Sequence, residues 1–413
     1  MNPEVEYDVI VVGAGLAGLA ASIEIARAGK RLLTLEASDR VGGRLRTDQH
    51  EGFLLDRGFQ VLLTDYSECR DLLDYDKLDL GTFAPGAHLW NGSQLETVAD
   101  PIRQPELAFS SLASSAGSLG DKLRIGKLNL RLARQADDAI YQSPERSSLE
   151  LLQQRDFSET MIERFLKPFF CGIFLEPDLA SSGRMFDFVF KSFGRGHAAL
   201  PANGMRAIPQ QLADSLPAGC LRLNSPVEAI RENGVTLSDG SSLRSKAVVV
   251  ATDMDEASRL GNDDSLKRPW NSARCSYFAA DHSPLRRPMI ALNASGKGLI
   301  QNLCVPSDIS PSYAPDGKAL ICVSTNSIHE AEPDSLKSEM VQWFGETAQS
   351  FTFLRSYHIP RALPRQRPGD LPFETAALRH QSGVWLCGDY RFSSSIQGAL
   401  RSGRKVAREI LAW

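Results

Sequence analysis

Residues 7–44 read YDVIVVGAGLAGLAASIEIARAGKRLLTLEASDRVGGR, and they decide the fold. The apolar run Tyr7 to Val12 predicts a strand, the turn after it is rich in glycine, and the next residues, to about Ala28, have the spacing of an amphipathic helix. A second apolar run ends at the acidic Glu36. The stretch predicts a β-α-β unit of a Rossmann-like α/β domain that holds a dinucleotide.

Each part of the glycine turn has a physical reason. Gly13 allows a sharp exit from the strand, Gly15 lets a pyrophosphate approach the backbone, and Gly18 lets the helix pack closely on the strand. The phosphates then meet free N–H groups at the positive end of the helix. Glu36 can accept both ribose hydroxyls and repels a 2′-phosphate, which disfavours NADP. This stretch alone leaves NAD and FAD both open.

Composition narrows the class of protein. The chain has 413 residues and a formal net charge of −4, so it has the length of two domains and no global attraction to nucleic acid. We expect no nucleic-acid partner. No apolar run reaches the roughly 20 residues that span a bilayer, and the first residues are acidic where a signal peptide is basic. Its seven cysteines form no C-x-x-C pair. We therefore expect a cytoplasmic protein with reduced thiols and no bound metal.

Two further stretches suggest local interactions. Residues 51–63 contain two β-type runs broken at Gly58, and the adjacent Asp56 and Arg57 are expected to pair locally because burying either charge alone is costly. Residues 119–139 predict one amphipathic helix with a basic stripe. That stripe is typical of a solvated face, while peripheral contact with an anionic membrane is the alternative.

Between these stretches and the C-terminus, the pattern of apolar and polar residues changes twice. Residues 65–192 are helical in pattern, and the aromatic run at 164–175 predicts core or the wall of a substrate cavity. After residue 200, short β-type runs return and end in a buried strand at 247–251. We predict a discontinuous dinucleotide-binding domain of residues 1–66, 197–262 and 380–413. Residues 67–196 and 263–379 form a second, mixed α+β substrate domain.

The C-terminal segment carries a second constellation. Asp389 ends a short buried strand, where open α/β sheets bind ligands, and a helix begins near Ser395. The carboxylate can accept bonds from ribityl hydroxyls, and the positive end of the helix stabilises negative charge on a reduced flavin.

With these motifs in place, the chain resembles the flavin-containing amine oxidase superfamily. The resemblance rests on VIVVGAGLAGLAA, LEASDRVGGR, LPANGMRAIPQQLA, AVVVAT and LCGDYRFSSSIQGALRSG. It implies a non-covalent FAD whose pyrophosphate lies at the glycine turn, whose ribose meets Glu36 and whose ribityl region meets Asp389. The residues that it implies as cofactor-binding are Gly13, Gly15, Leu16, Ala17, Gly18, Glu36, Ala37, Gly42, Gly43, Arg44, Arg57, Gly58, Phe59, Gln60, Val227, Ala251, Gly388, Asp389, Ser395, Ile396 and Ala399.

The chain departs from the pattern of monoamine oxidases at two places. The Ser-Gly-Gly-Cys-Tyr context for covalent flavin attachment is absent, and Cys387 reads as a buried thiol. The lysine near the flavin N5 is not evident either, and the nearest local match offers Arg274. Tyr357, Tyr390 and Phe392 are the aromatic candidates for the substrate side of the flavin. We take these four residues as the catalytic candidates.

A single dinucleotide fingerprint indicates that electrons come from an organic substrate and not from NAD(P)H. The leading hypothesis is an FAD-dependent oxidoreductase of the amine oxidase type. It takes a hydride from a small organic substrate, with an amine expected first and another apolar molecule second, and passes electrons to dioxygen or a quinone. The alternatives are a carotenoid desaturase or isomerase, a protoporphyrinogen oxidase-like enzyme, and a catalytically idle flavin-binding protein.

Overall fold

The computed structural model describes residues 6–101, 103–325, 331–370, 378–380 and 383–413. Residues 1–5, on which the cytoplasmic expectation partly depended, lie outside this range. Within the described residues, no helix combines the length and the apolar character needed to cross a bilayer.

The strands of the described residues are short, apart from three long ones in the second half of the chain. They are β1 (Tyr7–Val12), β2 (Leu32–Leu35), β3 (Thr47–His50), β4 (Phe53–Asp56), β5 (Leu62–Leu63), β6 (Leu80–Thr82), β7 (Gly86–Trp90), β8 (Leu95–Ala99), β9 (Ala198–Pro201), β10 (Leu221–Arg222), β11 (Val227–Arg231), β12 (Gly234–Leu237), β13 (Ser242–Val250), β14 (Trp270–Ala280), β15 (Ile290–Asn293), β16 (Ile300–Cys304), β17 (Ala319–Thr325), β18 (Thr352–Pro364) and β19 (Trp385–Leu386).

The α-helices concentrate between β5 and β9 and at the two ends of the chain. They are α1 (Leu16–Arg27), α2 (Ser67–Leu72), α3 (Tyr75–Leu78), α4 (Ala108–Ala113), α5 (Leu119–Ala133), α6 (Asp137–Tyr141), α7 (Ser148–Gln154), α8 (Glu159–Met161), α9 (Lys167–Phe174), α10 (Gly183–Arg195), α11 (Ala207–Asp214), α12 (Met254–Gly261), α13 (Pro306–Ile309), α14 (Pro333–Phe344) and α15 (Ile396–Ala412). A π-helical turn, Ile162–Leu166, joins α8 to α9.

The first large sheet confirms the α/β prediction. Its order is β10-β2-β1-β13-β12-β11, with β19 also paired to β13. β1 lies between β2 and β13 and is parallel to both. Since a parallel sheet is covered on both faces, its strands read as continuous apolar runs, which is why β1 could be located from sequence. The carboxyl ends of β1, β2, β13 and β19 meet at one edge.

Helices α1 and α15 pack against each other beside this sheet. The contact is close because Gly403 of α15 lies against the backbone of α1, where any side chain would collide with the carbonyl oxygen of Ala17. Arg404 strengthens the pairing through ion pairs with Glu24 of α1 and Glu68 of α2, at 2.8 Å and 2.5 Å. The first and last described helices therefore form one unit.

The second large sheet has the order β18-β14-β17-β16-β15-β7-β8. It draws its strands only from residues predicted for the substrate domain, whereas the first sheet draws them only from residues predicted for the FAD-binding domain. The small sheet β5-β9-β6 takes strands from both sets. The domain division itself stays a prediction. The helical expectation for residues 65–192 was wrong at β6, β7 and β8, whose short runs leave no room for a clear period-2 pattern.

The single helix predicted over residues 119–139 is shorter in the structure. α5 ends at Ala133, and Ala139 belongs to α6, where it is exposed. Ser118 and Asp121 form a capping box at the start of α5. Asp121 is fully buried and also accepts bonds from the N–H and hydroxyl of Ser158, which begins α8. One carboxylate therefore fixes two helix ends.

Candidate functional site

One large cavity, of about 1510 Å³, runs from the carboxyl edge of the first sheet into the helices between β5 and β9. Its first part, the nucleotide side, is lined by the turns after β1, β2 and β13 and by the start of α15. Its second part, the chamber, is lined mainly by α4, α5, α9 and α10. The cavity volume exceeds what a single drug-sized ligand needs, so it can hold a dinucleotide and a substrate together.

The glycines at the start of α1 divide into two kinds. Gly18 is a packing glycine, since a side chain there would collide with the carbonyl oxygen of Gly13. Gly15 faces the open cavity, and a Cβ on it would meet no atom within 4 Å. α1 also has no side-chain cap and no acidic residue in its first turn. Its first N–H groups and the positive end of its dipole are therefore available to an anion.

Glu36 lies directly after β2 and lines the same part of the cavity. Its Oε2 accepts a hydrogen bond from the N–H of Ala14 at 2.8 Å, and its Oε1 accepts from the N–H and hydroxyl of Ser38 at 3.0 Å and 2.7 Å. These bonds fix the carboxylate beside the glycine turn. Because a carboxylate has about four acceptor positions, it retains capacity for ribose hydroxyls.

Arg44 and Asp389 come from opposite ends of the chain and meet at the cavity. Arg44 Nη2 donates to Asp389 Oδ1 at 2.7 Å, and its Nη1 donates to the carbonyl of Ala362 at 3.2 Å. The guanidinium also lies 5.6 Å from the ring centroid of Trp270. Asp389 is buried and accepts a second bond from the N–H of Tyr390. The predicted ribityl ligand is thus also the anchor of Arg44.

These features fit a flavin dinucleotide. Gly15, with no atom near its Cβ position, leaves room for a pyrophosphate, and Gly43 lies against it with its own Cβ position 3.6 Å from Gly15 Cα. Glu36 supplies a ribose acceptor, and Ser395 caps α15 through the N–H of Gly398, at 3.0 Å. The donor set has backbone N–H groups for phosphates and carboxylates for hydroxyls, as a dinucleotide requires.

Nearly all the residues predicted to bind the cofactor are brought together here. All except Gly18 line the cavity, from Gly13 in the first turn to Ala399 in α15. Sequence reasoning missed other lining residues on the nucleotide side. They include Ser225, Pro226, Thr252, Asp253 and Glu256, together with the end of β18 at His358, Ile359, Pro360, Arg361, Ala362 and Leu363. Asp253 and Glu256 follow β13 at the carboxyl edge of the sheet, and this position could have identified them as site residues. The residues of β18 belong to no recognisable motif.

The expected local pairing of Asp56 with Arg57 was wrong. Arg57 bonds Asp48 across the β3–β4 hairpin, at 3.0 Å. Asp56 is buried and accepts from the hydroxyls of Thr47 and Tyr313, at 2.5 Å and 2.7 Å, and from the N–H of Met205. Because neighbouring residues in a strand point to opposite faces, the side chains of Asp56 and Arg57 point apart and do not pair with each other. Burial outweighs these three bonds and raises the pKa of Asp56 to about 6.

The chamber is predominantly aromatic. The run at 164–175 forms part of its wall, as the sequence indicated. The aromatic lining residues of the cavity are Phe59, Tyr66, Phe83, Phe165, Phe169, Phe170, Phe174, Phe190 and Phe193. Two polar acceptors sit among the lining residues without a hydrogen-bond partner in the described part of the chain, Gln60 Oε1 and Asn302 Oδ1. Such a space suits a bulky apolar molecule that carries a hydrogen-bond donor.

Charged groups in the chamber are few and mostly basic. Arg103 and Lys122 line it, and Asp100 is the carboxylate on this side. Arg103 donates to a ring nitrogen of His197 at 2.9 Å, and burial together with Arg103 lowers the pKa of that imidazole. His197 is therefore neutral near pH 7, and the chamber carries no excess of negative charge for a buried ammonium.

None of the four catalytic candidates lines this cavity, so the structure does not bring them together at the site. Arg274 lines a smaller cavity of about 210 Å³ instead, and Tyr357 donates to Asp48 Oδ2 at 3.0 Å. Each follows or precedes a β-strand residue that does face the large cavity, so the period-2 alternation turns it away. Tyr390 packs in the core under the first sheet, and Phe392 packs edge-on against Tyr141.

Comparison with known proteins agrees with this geometry. A family model described as flavin containing amine oxidoreductase matches residues 16–411. Tobacco (Nicotiana tabacum) chloroplastic protoporphyrinogen oxidase is 30% identical over 195 residues, which is 46% of this chain and 33% of that protein. Putrescine oxidase from Kocuria rosea is 27% identical over 302 residues, covering 64% of this chain and 60% of the relative. The chain thus matches less than two thirds of the length of either relative.

Solved structures give the same fold. A variant of putrescine oxidase with redesigned cofactor binding superposes with a TM-score of 0.75 at 17% identity, covering 99% of this chain and 100% of that one. At that identity the likeness supports the fold alone. The predictions of a Rossmann-like domain joined to a second mixed domain, and of an FAD cofactor, are confirmed by the family and fold matches.

Proposed function

We propose, from the premise that this chain belongs to the flavin-containing amine oxidoreductase family, that it oxidises a bulky apolar substrate with FAD as the hydride acceptor. One observation carries the proposal. The nucleotide side, with its backbone donors and fixed carboxylates, is continuous with an aromatic chamber in a single cavity. A substrate in the chamber therefore lies next to whatever the nucleotide side holds.

The cofactor is held by groups of known chemistry. We assign the pyrophosphate to the N-terminal turn of α1 at Gly15, the adenosine ribose to Glu36 and the ribityl region to Asp389. Arg44 would place a positive charge beside the cofactor, and the start of α15 at Ile396 would meet the pyrimidine end of the ring. When bound there, FAD supplies the hydride acceptor at N5.

The chain's own contribution to the reaction is to position the substrate and to exclude water from the chamber. Phe169, Phe170 and Phe193 restrict the orientation of the substrate and limit water in the chamber. Gln60 and Asn302 offer neutral acceptors to a donor group on the substrate. With the basic Arg103 and Lys122 on this side, the chamber favours a neutral substrate over a cation.

An amine is the second candidate, favoured by the family match and by the two neutral acceptors. It would bind as the free base, because an ammonium would be desolvated without a dedicated counterion. In either case we propose dioxygen or a quinone as the electron acceptor. We also propose a cytoplasmic location with peripheral membrane contact.

The deciding experiment is anaerobic reduction of the purified, FAD-loaded protein. Primary amines, a porphyrinogen and carotenoid-loaded micelles are mixed with it separately, and the flavin absorbance is followed. We expect bleaching by one apolar substrate class, and by amines only at a pH that populates the free base. Readmission of dioxygen, or addition of a quinone, then identifies the acceptor by the return of the oxidised spectrum.

The outcomes separate the candidates. Bleaching by amines alone makes the second candidate the function. A protein that is yellow but bleached by none of the three classes contradicts the enzyme proposal and favours a catalytically idle flavin-binding protein. A protein that takes up no FAD contradicts the cofactor assignment as well.

A further inference from the structure

The exposed apolar side chains of the described residues are not spread evenly over the surface. Five of the eight strongly exposed large hydrophobic residues lie within residues 109–130, and their exposed fractions are 83% for Phe109, 57% for Leu112, 63% for Leu119, 61% for Leu123 and 58% for Leu130. We call these five residues the apolar collar. Such a concentration marks an interaction surface.

The collar belongs to one continuous surface of α4 and α5. Along α5, Leu119, Leu123 and Leu130 are spaced by four and seven residues, so they follow one another along one face of the helix. A different stripe, including Leu128 and Leu132, is buried against the protein. Lys122 connects the two helices by donating from Nζ to the carbonyls of Leu112 and Ser114, at 2.7 Å and 3.2 Å.

Two residues of the collar also border an opening of the chamber. Leu112 of α4 and Leu130 of α5 are both exposed and both line the large cavity. Gly126 and Ala133, which lie on the same face of α5 as Leu130, are exposed and line it as well. The aromatic interior therefore reaches the surface within the apolar patch.

The charged residues of the segment that carries the collar are mostly basic. Residues 103–134 contain six basic residues, namely Arg103, Lys122, Arg124, Lys127, Arg131 and Arg134, and two acidic ones, Glu106 and Asp121. Glu106 is near Arg287, at 3.4 Å, and Asp121 is buried in its capping network. The exposed surface of α5 is therefore apolar and basic, which is the composition of helices that bind in the plane of a membrane surface.

We propose that the collar docks this protein on an anionic phospholipid bilayer, with the chamber opening toward the acyl chains. The inference rests on the proposed oxidation of an apolar substrate, because it gives that substrate a path from lipid to flavin without crossing water. A second copy of the chain fits less well as the occupant. Self-association of α5 would bring Lys127, Arg131 and Arg134 toward the same basic row without an exposed acid on α5 to balance them.

The experiment measures vesicle binding of the FAD-loaded protein directly, without turnover. Phosphatidylcholine vesicles with and without phosphatidylserine are floated on a density gradient. The amount of protein in the vesicle layer is then measured by its flavin absorbance. We expect binding that requires phosphatidylserine and falls with salt. In the variant Phe109→Ser/Leu119→Ser/Leu123→Ser, whose three positions do not line the cavity, we expect at least a roughly tenfold loss of affinity. Lys127→Glu should lose about fivefold.

Matched controls come from exposed residues elsewhere. Leu299→Ser and Lys297→Glu change the same residue types away from the collar and should bind as the wild type does. Circular dichroism and flavin content show that each variant is folded. Equal binding by the collar variant and the wild type, or no binding by the wild type, overturns the proposal, as does a dimer in solution that the collar variant dissociates.

The test is independent of the proposed function. Anaerobic bleaching with substrate in detergent micelles needs no bilayer, so a protein that binds vesicles but is bleached by no substrate contradicts the function only. A protein bleached normally but absent from the vesicle layer contradicts the docking surface only.

Discussion

The two parts of the cavity are built in different ways. On the nucleotide side, backbone groups and fixed carboxylates are available to bind the ligand, so the identity of single residues such as Gly15 and Glu36 determines what fits. In the chamber, the walls are side chains of Phe and Leu on helices, and many apolar residues could fill the same positions. The nucleotide side therefore selects its ligand by chemical groups, and these can be recognised in the sequence. The chamber selects its ligand by shape.

The largest expected effect tests whether the nucleotide side depends on bare backbone. Gly15→Val places a side chain where the pyrophosphate is expected, and losing two charge-assisted hydrogen bonds would cost about 3–6 kcal/mol of binding. The purified variant should be folded but colourless. Its matched control is Gly126→Val, since Gly126 also lines the cavity and also has no atom within 4 Å of a Cβ. A yellow Gly15→Val variant, titrating with wild-type FAD affinity, would refute the pyrophosphate assignment.

The next effect concerns the ion pair that joins the chain's two ends. Arg44→Met leaves Asp389, whose side chain is 5% exposed, without its cation, while Arg44 itself is 32% exposed. We expect a loss of about 3 kcal/mol in the free energy of unfolding, near the low end for a buried pair because the arginine is partly accessible. Urea denaturation of the FAD-free protein measures it. Adding Asp389→Asn should restore part of the loss, and a double variant as unstable as the single one would contradict this explanation.

Two buried aspartates, one near each part of the cavity, change the free energy of unfolding with pH in opposite directions. Asp56, near the nucleotide side, has its pKa raised to about 6 by burial, so its contribution to stability is present below about pH 4 and is lost as the pH rises through 6. Asp121 lies in the helical part. Burial raises its pKa, but hydrogen bonds from Ser118 and Ser158 outweigh burial and lower it to about 2. Its contribution is present above about pH 4 and is lost as the pH falls through 2.

Each aspartate can be isolated by substitution with asparagine. Asp56→Asn should remove a decline of about 3 kcal/mol between pH 4 and 6, and Asp121→Asn a decline of about 2 kcal/mol below pH 4. Denaturant titrations of the wild type and both variants at several pH values measure the differences. If the two substitutions flatten the same pH range, the opposite shifts are wrong.

The smallest effect tests how the cofactor is retained. Cys387 lies directly after β19 and is fully buried, and burial raises the pKa of its thiol to about 12. Cys387→Ala should leave flavin content unchanged and reduce stability by about 1 kcal/mol, because a small buried group is removed. Acid precipitation should release all the flavin from both proteins. Flavin that stays with the wild-type polypeptide and leaves the variant would show a covalent bond.

The sequence predicted the nucleotide side well because its signals are local. β1, α1 and β2 lie within one or two residues of the predicted bounds, since continuous apolar runs and glycines report directly on a parallel strand and its turn. The start of α15 was equally accessible, because a serine cap and the preceding acidic turn fix it.

The chamber was harder to predict because its residues are joined only by tertiary packing. Arg274 and Tyr357 were chosen by residue type, yet strand alternation turns them from the cavity that Ala273 and His358 face. A shift of one position decides such a choice, and neither strand is amphipathic enough to show it. Similarly, the basic stripe of α5 was legible, but the exposure of Leu119 and Leu123 depended on which stripe packs inward.

The pairing of α1 with α15 sets an order of events during synthesis. The flavin pocket takes residues from the turn after β1 and from the turn after β19, which leave the ribosome last among the groups that line it. Until β19 joins β13 and Gly403 settles against Ala17, the glycine turn can offer only half of a binding site. Cofactor capture therefore has to wait until the segment from β19 to α15 has been made and packed against the first part of the chain.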